Sequence, residues 1–296
     1  MTDRACMAGY VAEPVQPAAD AAAGSASSPV PHPHGALRNT DASTPNVARI
    51  YDTLLGGQGN PAIDQEAAGE LLRLVPGAVM AAYQNRNFLQ RAVQLLASQA
   101  GVRQFIDIGM GLPTHGNVHE FARRAAPHAR VLYVDYDPAV ISRAQAVLAG
   151  SRGVAAINRD LRDPDGIIGH PALRALINFD EPVAVLLTAV LHFIKDDEDP
   201  HAIVNAYKDA IVPGSYLTLS HFTGDGLSPE ATHRVRELYQ NATAPVVPRT
   251  HAEITRFLDG LEILPPGLVN GSAWRAGYMA AEPRRTIFYA GVARKR

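Results

Sequence analysis

The chain has 296 residues, enough for one large α/β domain or two small ones around a substantial core. A net charge of -2, with 47% apolar and 19% charged residues, is ordinary globular composition and argues against a nucleic-acid partner, which a basic field would attract. The single cysteine, Cys6, excludes an internal disulfide; with no signal-like leader and no apolar run of bilayer length, a cytoplasmic protein without a membrane partner is expected.

Residues 1–43 are dominated by Ala, Pro, Ser and Gly and lack apolar periodicity, so a disordered tail is expected there. His32 and His34 in that tail lack the fixed ligand set a metal needs, and no metal site is expected. Residues 44–100 read as an all-helical lead-in. In "TPNVARIYDTLLGG", Thr44 is the expected N-cap and Pro45 the first helical residue, with Gly56 and Gly57 as the stop. "DQEAAGELLRLVP" and "AYQNRNFLQRAVQLLASQAG" predict two more helices, the second presenting Phe88, Ala92, Leu95 and Leu96 on one face.

From Gly101 strands alternate with helices. "RQFIDIG", "RVLYVDYD", "GVAAINRDL", "PVAVLLT" and "SYLTLSHFT" predict five strands, with helices between them at "NVHEFARRAAP", "DPAVISRAQAVLAG" and "DPHAIVNAYKDAIVPG". A helix at "SPEATHRVRELYQNA" precedes two final strands, "LEILPPGLV" and "RRTIFYAGVARKR". The expected fold class is α/β: a doubly wound, mostly parallel seven-stranded sheet with an antiparallel pair at its edge. The acid-rich "KDDEDP", Lys195–Pro200, is expected to be a solvated loop in which Asp199 caps the next helix.

In such a sheet ligands bind at the carboxyl ends of the strands. There the chain places "FIDIGMGLPTHGN", Phe105–Asn117. No Lys follows its glycines, so it is not a phosphate-binding P-loop. Thr114 stands where a dinucleotide fingerprint needs its third glycine, and Asp107 would repel a pyrophosphate. Acid before glycine suits a cationic ligand without phosphate, and S-adenosylmethionine, with its ammonium and sulfonium, has that chemistry. Asp135 ends the second expected strand, where a carboxylate accepts ribose hydroxyls, and Asp160 with the Leu161 amide ends the third, where they meet an adenine. The competing reading of these acids is that they cap the helices that follow.

The motifs "ARIYDTLLGGQGN", "NRNFLQRAV", "RQFIDIGMGLPTHGNVHE", "VLYVDYDP", "RDLRDP", "AVLHFI" and "PGSYLTLSH" run through residues 44–290. With them the chain resembles a class I S-adenosylmethionine-dependent methyltransferase of Rossmann-like fold. More narrowly it resembles a bacterial S-adenosyl methyltransferase family long catalogued as a domain of unknown function. The resemblance implies that Asp107, Gly109 and Gly111 line the methionine half of the cofactor. It also implies that Asp135 takes the ribose, that Asp160 and Leu161 frame the adenine, and that the helical lead-in is a lid over them. One departure is "GGQGNPAID": many relatives carry Lys and Asp where this chain has Gln58 and Gly59.

Methyl transfer is an in-line displacement at an activated carbon, and orientation alone supplies roughly 7–11 kcal/mol in well-positioned reactions. A general base is needed only for an acceptor that must lose a proton. His192, after the fourth strand, is the favoured candidate base, ahead of His221 and His115; a satisfied structural histidine is the competing reading. Tyr51 and Thr188 are expected to border the cofactor, and Arg86 to pair with its carboxylate. The acceptor is expected to be a small molecule methylated on oxygen or nitrogen. "NATAPVVPRT" and "GLVNGSAWRAG" are expected to line its pocket, with Trp274 and Tyr278 as aromatic walls. Two other classes stay open: a non-catalytic regulatory protein binding S-adenosylmethionine or its product, and an NAD-dependent oxidoreductase. Oligomeric state is open.

Overall fold

The computed structural model describes residues 43–113, 116–276 and 286–296. Residues 1–42 of the expected tail, which spans 1–43, lie outside the described residues, as do His115 and Tyr278.

Three helices come first: α1 (Val47–Leu54), α2 (Ala62–Leu74) and α3 (Ala78–Ser98). The N-cap of α1 is Asn46 rather than Thr44, and Pro45 lies outside the helix. The Asn46 amide oxygen accepts from the backbone N–H groups of Ala48 at 2.9 Å and Arg49 at 3.2 Å. An amide at this position satisfies two donors that helix geometry leaves orphaned. After α1 the chain turns at Gly56, whose φ of 80° a side chain would resist. On α3, Phe88, Ala92 and Leu96 are fully buried and Leu95 partly so, which fits the expected face.

The alternating region runs β1 (Gln104–Ile108), α4 (Val118–Arg123), β2 (Arg130–Asp135), α5 (Pro138–Leu148), β3 (Val154–Asn158), α6 (Pro164–Ile168), α7 (Pro171–Leu176), β4 (Ala184–Thr188), α8 (Pro200–Ala210) and β5 (Tyr216–Phe222). It closes with α9 (Pro229–Gln240), α10 (His251–Arg256), β6 (Glu262–Ile263), β7 (Val269–Asn270) and β8 (Phe288–Arg294). As expected, Asp137 caps α5 and Asp199 caps α8, accepting from Ala139 N at 2.8 Å and Ala202 N at 3.0 Å. No helix among the described residues is long and apolar enough to cross a membrane.

The sheet has eight strands, not seven, in the order β3-β2-β1-β4-β5-β8-β6, with β7 also pairing β8. β1 to β5 are parallel; β8 runs antiparallel between β5 and β6. The extra strand arises where "LEILPPGLV" was expected to be continuous. Pro265 and Pro266 have no N–H to give a ladder, so the run splits into β6 and β7, each paired to β8.

Alternation along the strands sorts the core. Ile106, Ile108, Leu132, Val134 and Leu187 join one apolar cluster; Phe105, Val131, Tyr133 and Leu186 join the other, beneath α3. Asp107 therefore shares the α3 face with Phe105. A third cluster forms where α1, α2 and the start of α3 meet Val235 and Tyr239 of α9 and Val246. That cluster ties the lead-in to the carboxyl ends of the strands, because Phe193 and Phe222 pack against it.

Candidate functional site

The order of the sheet reverses between β1 and β4, and at this switch point the βα loops diverge and leave a crevice. A cavity of about 240 Å³ is lined there by the ends of β1, β2, β4 and β5, by the loop after β3 and by the three lead-in helices. Asp107, Gly109, Gly111, Asp135, Asp160, Leu161, Thr188, Tyr51, Arg86 and His192 all border it. Ten expectations drawn from scattered stretches of the chain thus fall on one surface.

Asp107 is almost fully buried, and among the described residues none donates a hydrogen bond to its side chain. Burial pushes its pKa up to about 7; Arg86 pulls it down in part, and Asp135 adds to the rise. Gly109 has φ 75°, and a Cβ there would stand 2.4 Å from Val190 Cγ2, so only glycine fits. Its N–H donates to Val134 O at 2.8 Å, which keeps the loop in line with β2. Gly111, at φ 62°, donates its N–H to Asp135 Oδ2 at 2.9 Å, and Asp137 N–H donates to Oδ1 at 3.0 Å. Burial raises the Asp135 pKa to about 6 against the pull of these donors. A buried acid without a donor among the described residues, next to a turn that only glycine can make, fits a cationic group that approaches closely, as the ammonium of S-adenosylmethionine would.

Asp160 departs from the expected placement. β3 ends at Asn158, and the Asp160 carboxylate is held by Arg162, Oδ1 from Nε at 2.9 Å and Oδ2 from Nη2 at 2.6 Å. Burial raises its pKa, but the Arg162 hydrogen bonds outweigh this and the net shift is downward. Leu161 is buried, and its carbonyl accepts the Tyr207 hydroxyl at 3.0 Å. Arg86, on α3, donates to the carbonyl of Gly116 and its charge is felt at Asp107 and Tyr51.

Tyr51 belongs to a chain of hydrogen bonds that the sequence did not reveal. Ser220 Oγ donates to Asn85 Oδ1 at 2.7 Å, Asn85 Nδ2 donates to the Tyr51 hydroxyl at 3.0 Å, and that hydroxyl donates to Ala82 O at 3.1 Å. It links β5, α3 and α1. Asn85 stands beside Arg86 in "NRNF", yet nothing in its spacing marks it as more than a polar helix residue.

His192 sits in a 3-10 turn, Leu191–Phe193, just past β4. Its Nδ1 accepts the backbone N–H of Phe222 at 3.2 Å, so in the neutral ring the proton is on Nε2. Burial, helped by the charge of Arg249, pushes its pKa down to about 3. Among the described residues no hydrogen bond engages Nε2, and His192 lines the cavity. His221 lies on the opposite face of β5 from Ser220. Its Nδ1–H donates to Phe222 O at 2.6 Å and its Nε2 accepts from Arg249 at 3.0 Å, so both ring nitrogens are committed.

Arg249, unforeseen in the sequence, binds this region together. It donates to Leu191 O at 3.1 Å, Ile194 O at 2.8 Å and Asp196 Oδ1 at 2.6 Å, holding the turn that carries His192. Of the two expected acceptor segments, "NATAPVVPRT" contributes Thr243 to Val246 to the cavity, whereas none of the described residues of "GLVNGSAWRAG" lines it. Trp274 is instead wholly buried, edge-on to Phe88 at 5.2 Å, because its large apolar surface is spent in the core beneath α3.

A family model of S-adenosyl methyltransferases matches residues 33–296. The chain is similar to a Thermobifida fusca YX protein described as a candidate methyltransferase, with 38% identity and a TM-score of 0.81 over 86% of this chain and 97% of that one. It is also similar to a DUF574 family protein from Streptomyces avermitilis MA-4680, with 37% identity and a TM-score of 0.82 over 86% of this chain and 99% of that one. No curated protein matches the chain significantly. The acid-first glycine turn, the doubly wound sheet and a family match that takes in every described residue lead to one assignment: the chain belongs to the S-adenosyl methyltransferase family, whose cofactor is S-adenosylmethionine.

Proposed function

We propose that this protein transfers the methyl group of S-adenosylmethionine to a small-molecule acceptor held between the lead-in helices and the ends of β4 and β5. The observation that carries the reading is Asp107: a buried carboxylate without a donor among the described residues, beside Gly109 and Gly111, in a cavity whose other side is apolar. When bound, the cofactor supplies an electrophilic methyl on a sulfonium. The chain's residues do the rest by binding and orientation.

Asp107 accepts from the ammonium, and Arg86 pairs with the carboxylate of the methionine half. Asp135 keeps lone pairs free for the ribose hydroxyls beyond its two backbone donors. Leu161 and Asp160 border the adenine, with Asp160 already neutralised by Arg162. Thr188 and Tyr51 flank the sulfonium side, and α1 to α3 act as a lid that excludes water. His192 donates from Nε2 toward the acceptor rather than accepting a proton, since its Nδ1 lone pair is taken.

Calorimetric titration with S-adenosylmethionine and with its demethylated product tests the reading. Saturable binding by the wild type and a loss of at least tenfold in Asp107→Asn are expected. Equal affinity in both proteins would remove Asp107 from the site, and no binding would end the reading. Cofactor consumption with an added acceptor separates an enzyme from a non-catalytic sensor on the same fold, for which binding occurs without turnover.

A further inference from the structure

The cavity is unevenly furnished. Its charged groups, Asp107, Asp135, Asp137, Arg159, Asp160 and Arg162, belong to β1 to β3 and their loops, with Arg86 of α3 facing Asp107. On the β4–β5 side the wall is made of Leu71, Val75, Ala78, Phe193, Phe222 and Tyr239, without a charge. Asp135 ends β2 and Phe222 ends β5, three strand steps of about 4.8 Å, or roughly 14 Å, apart. The two ends of the cavity are therefore separate environments, one for a charged cofactor and one for an apolar guest.

The polar groups of the apolar end are largely spent. Ser220, Asn85 and Tyr51 satisfy one another in series. His192 is different. Its ring is fixed by the Phe222 N–H and packed on Phe193 at 4.3 Å, the residue lines the cavity, and among the described residues nothing engages its Nε2–H. An acceptor atom set against a fixed N–H donor must accept that hydrogen bond with one lone pair and attack the methyl with another. A hydroxyl oxygen has two lone pairs. A neutral amine nitrogen has one and cannot do both.

We infer that the acceptor is an apolar, ring-sized molecule without a charged group on its body, bearing an acidic phenolic or enolic hydroxyl that is methylated on oxygen while His192 Nε2–H holds that oxygen. The inference rests on the methyltransferase reading above. In the transfer the hydroxyl proton passes to solvent and the oxygen lone pair forms the new O–C bond. The S–CH₃ bond breaks with its electron pair going to sulfur, which becomes a neutral thioether. The N–H donor stabilises the oxyanion that precedes transfer, so no side chain has to take the proton at the moment of attack.

The test uses the full chain with 1-naphthol, 1-naphthylamine and 1-naphthoate as probes. Their binding is titrated in the presence of S-adenosylhomocysteine, and methylated products made with S-adenosylmethionine are identified by mass spectrometry. Naphthol is expected to bind saturably, at least tenfold tighter than the amine or the carboxylate, and to yield the methyl ether. His192→Ala is expected to abolish the preference for naphthol over naphthylamine, and His192→Gln, which keeps an N–H donor, to restore it. Ala78→Phe, which adds bulk to the apolar wall, is expected to eliminate naphthol binding in a protein that still binds S-adenosylhomocysteine. Naphthoate binding as well as naphthol, methylation on the nitrogen of naphthylamine, or no naphthol binding by a protein that binds S-adenosylhomocysteine would each overturn the inference. Failure to bind S-adenosylhomocysteine at all would instead overturn the methyltransferase reading beneath it.

Discussion

The side-chain amide of Asn46 donates to the Asp137 carboxylate at 2.8 Å, joining residues 91 positions apart. Asn46 caps α1 with its oxygen and spends its nitrogen on the loop after β2, so one side chain both starts the lead-in and fastens it beside Asp135. Thr243 reinforces the join, accepting from Val47 N at 3.2 Å and bonding the Tyr136 hydroxyl at 3.1 Å.

Asn46→Ser separates the two roles. Serine is a good cap, but it is too short to reach Asp137. A hydrogen bond to a charged group contributes about 1.5–3 kcal/mol, so the lead-in should open at least about tenfold more readily. The expected result is release of S-adenosylhomocysteine about tenfold faster in stopped-flow displacement, with helix content by circular dichroism unchanged. A release rate within twofold of wild type would mean that the join does not gate the site.

Asp107 and Asp135 predict how stability responds to pH. Folding raises their pKa values to about 7 and about 6, from an ordinary value of 3.8. Between the ordinary and the raised values the folded chain holds more protons than the unfolded one, so stability falls as pH rises through that window and levels off above it. Burial holds His192 and His221 neutral, so they add stability as pH rises through the ordinary histidine range, and the carboxylates are read by difference: without ligand, the melting temperature of Asp107→Asn should gain on that of the wild type from about pH 5 to 7. Affinity for S-adenosylmethionine should rise across the same interval, because its cation needs the ionised carboxylate. A difference between the two proteins that stays constant from about pH 5 to 7 would contradict the assignment.

Arg249 is expected to act on His192 through the turn it holds. Arg249→Met leaves the carbonyls of Leu191 and Ile194 without this donor, costing about 1–3 kcal/mol for each that stays buried. Ring ¹⁵N shifts in the wild type should report His192 neutral, protonated on Nε2, near pH 6, since its pKa is pushed down to about 3. In the variant burial still holds the pKa low, but with the nearby cation gone it should move up. A His192 that is charged at pH 6 in the wild type would refute this account of the ring.

Local signals in the chain were strong for the cofactor end. Asp107 before Gly109 and Gly111, and Asp135 ahead of the capping Asp137, are properties of single βα turns. Short-range sterics and hydrogen bonding decide such turns, so their geometry can be read from adjacent residues. The same locality explains the errors. Thr44 and Asn46 are both good caps, and the choice between them followed from contacts with Asp64 and Asp137, far along the chain. "LEILPPGLV" looked like one strand until β8 offered a partner to each half.

By itself the sequence determined a doubly wound sheet and an acid-first turn suited to a cation, because periodicity, glycine and strand-end acids act over a few residues. Only the tertiary structure decided the β4–β5 side of the cavity. Asn85 meets Ser220 across 135 positions, and Arg249 meets the His192 turn across 58. Such pairings depend on how layers pack, which no spacing in the chain encodes. The same packing fixes the His192 ring, because the backbone N–H that occupies its Nδ1 comes from a neighbouring strand.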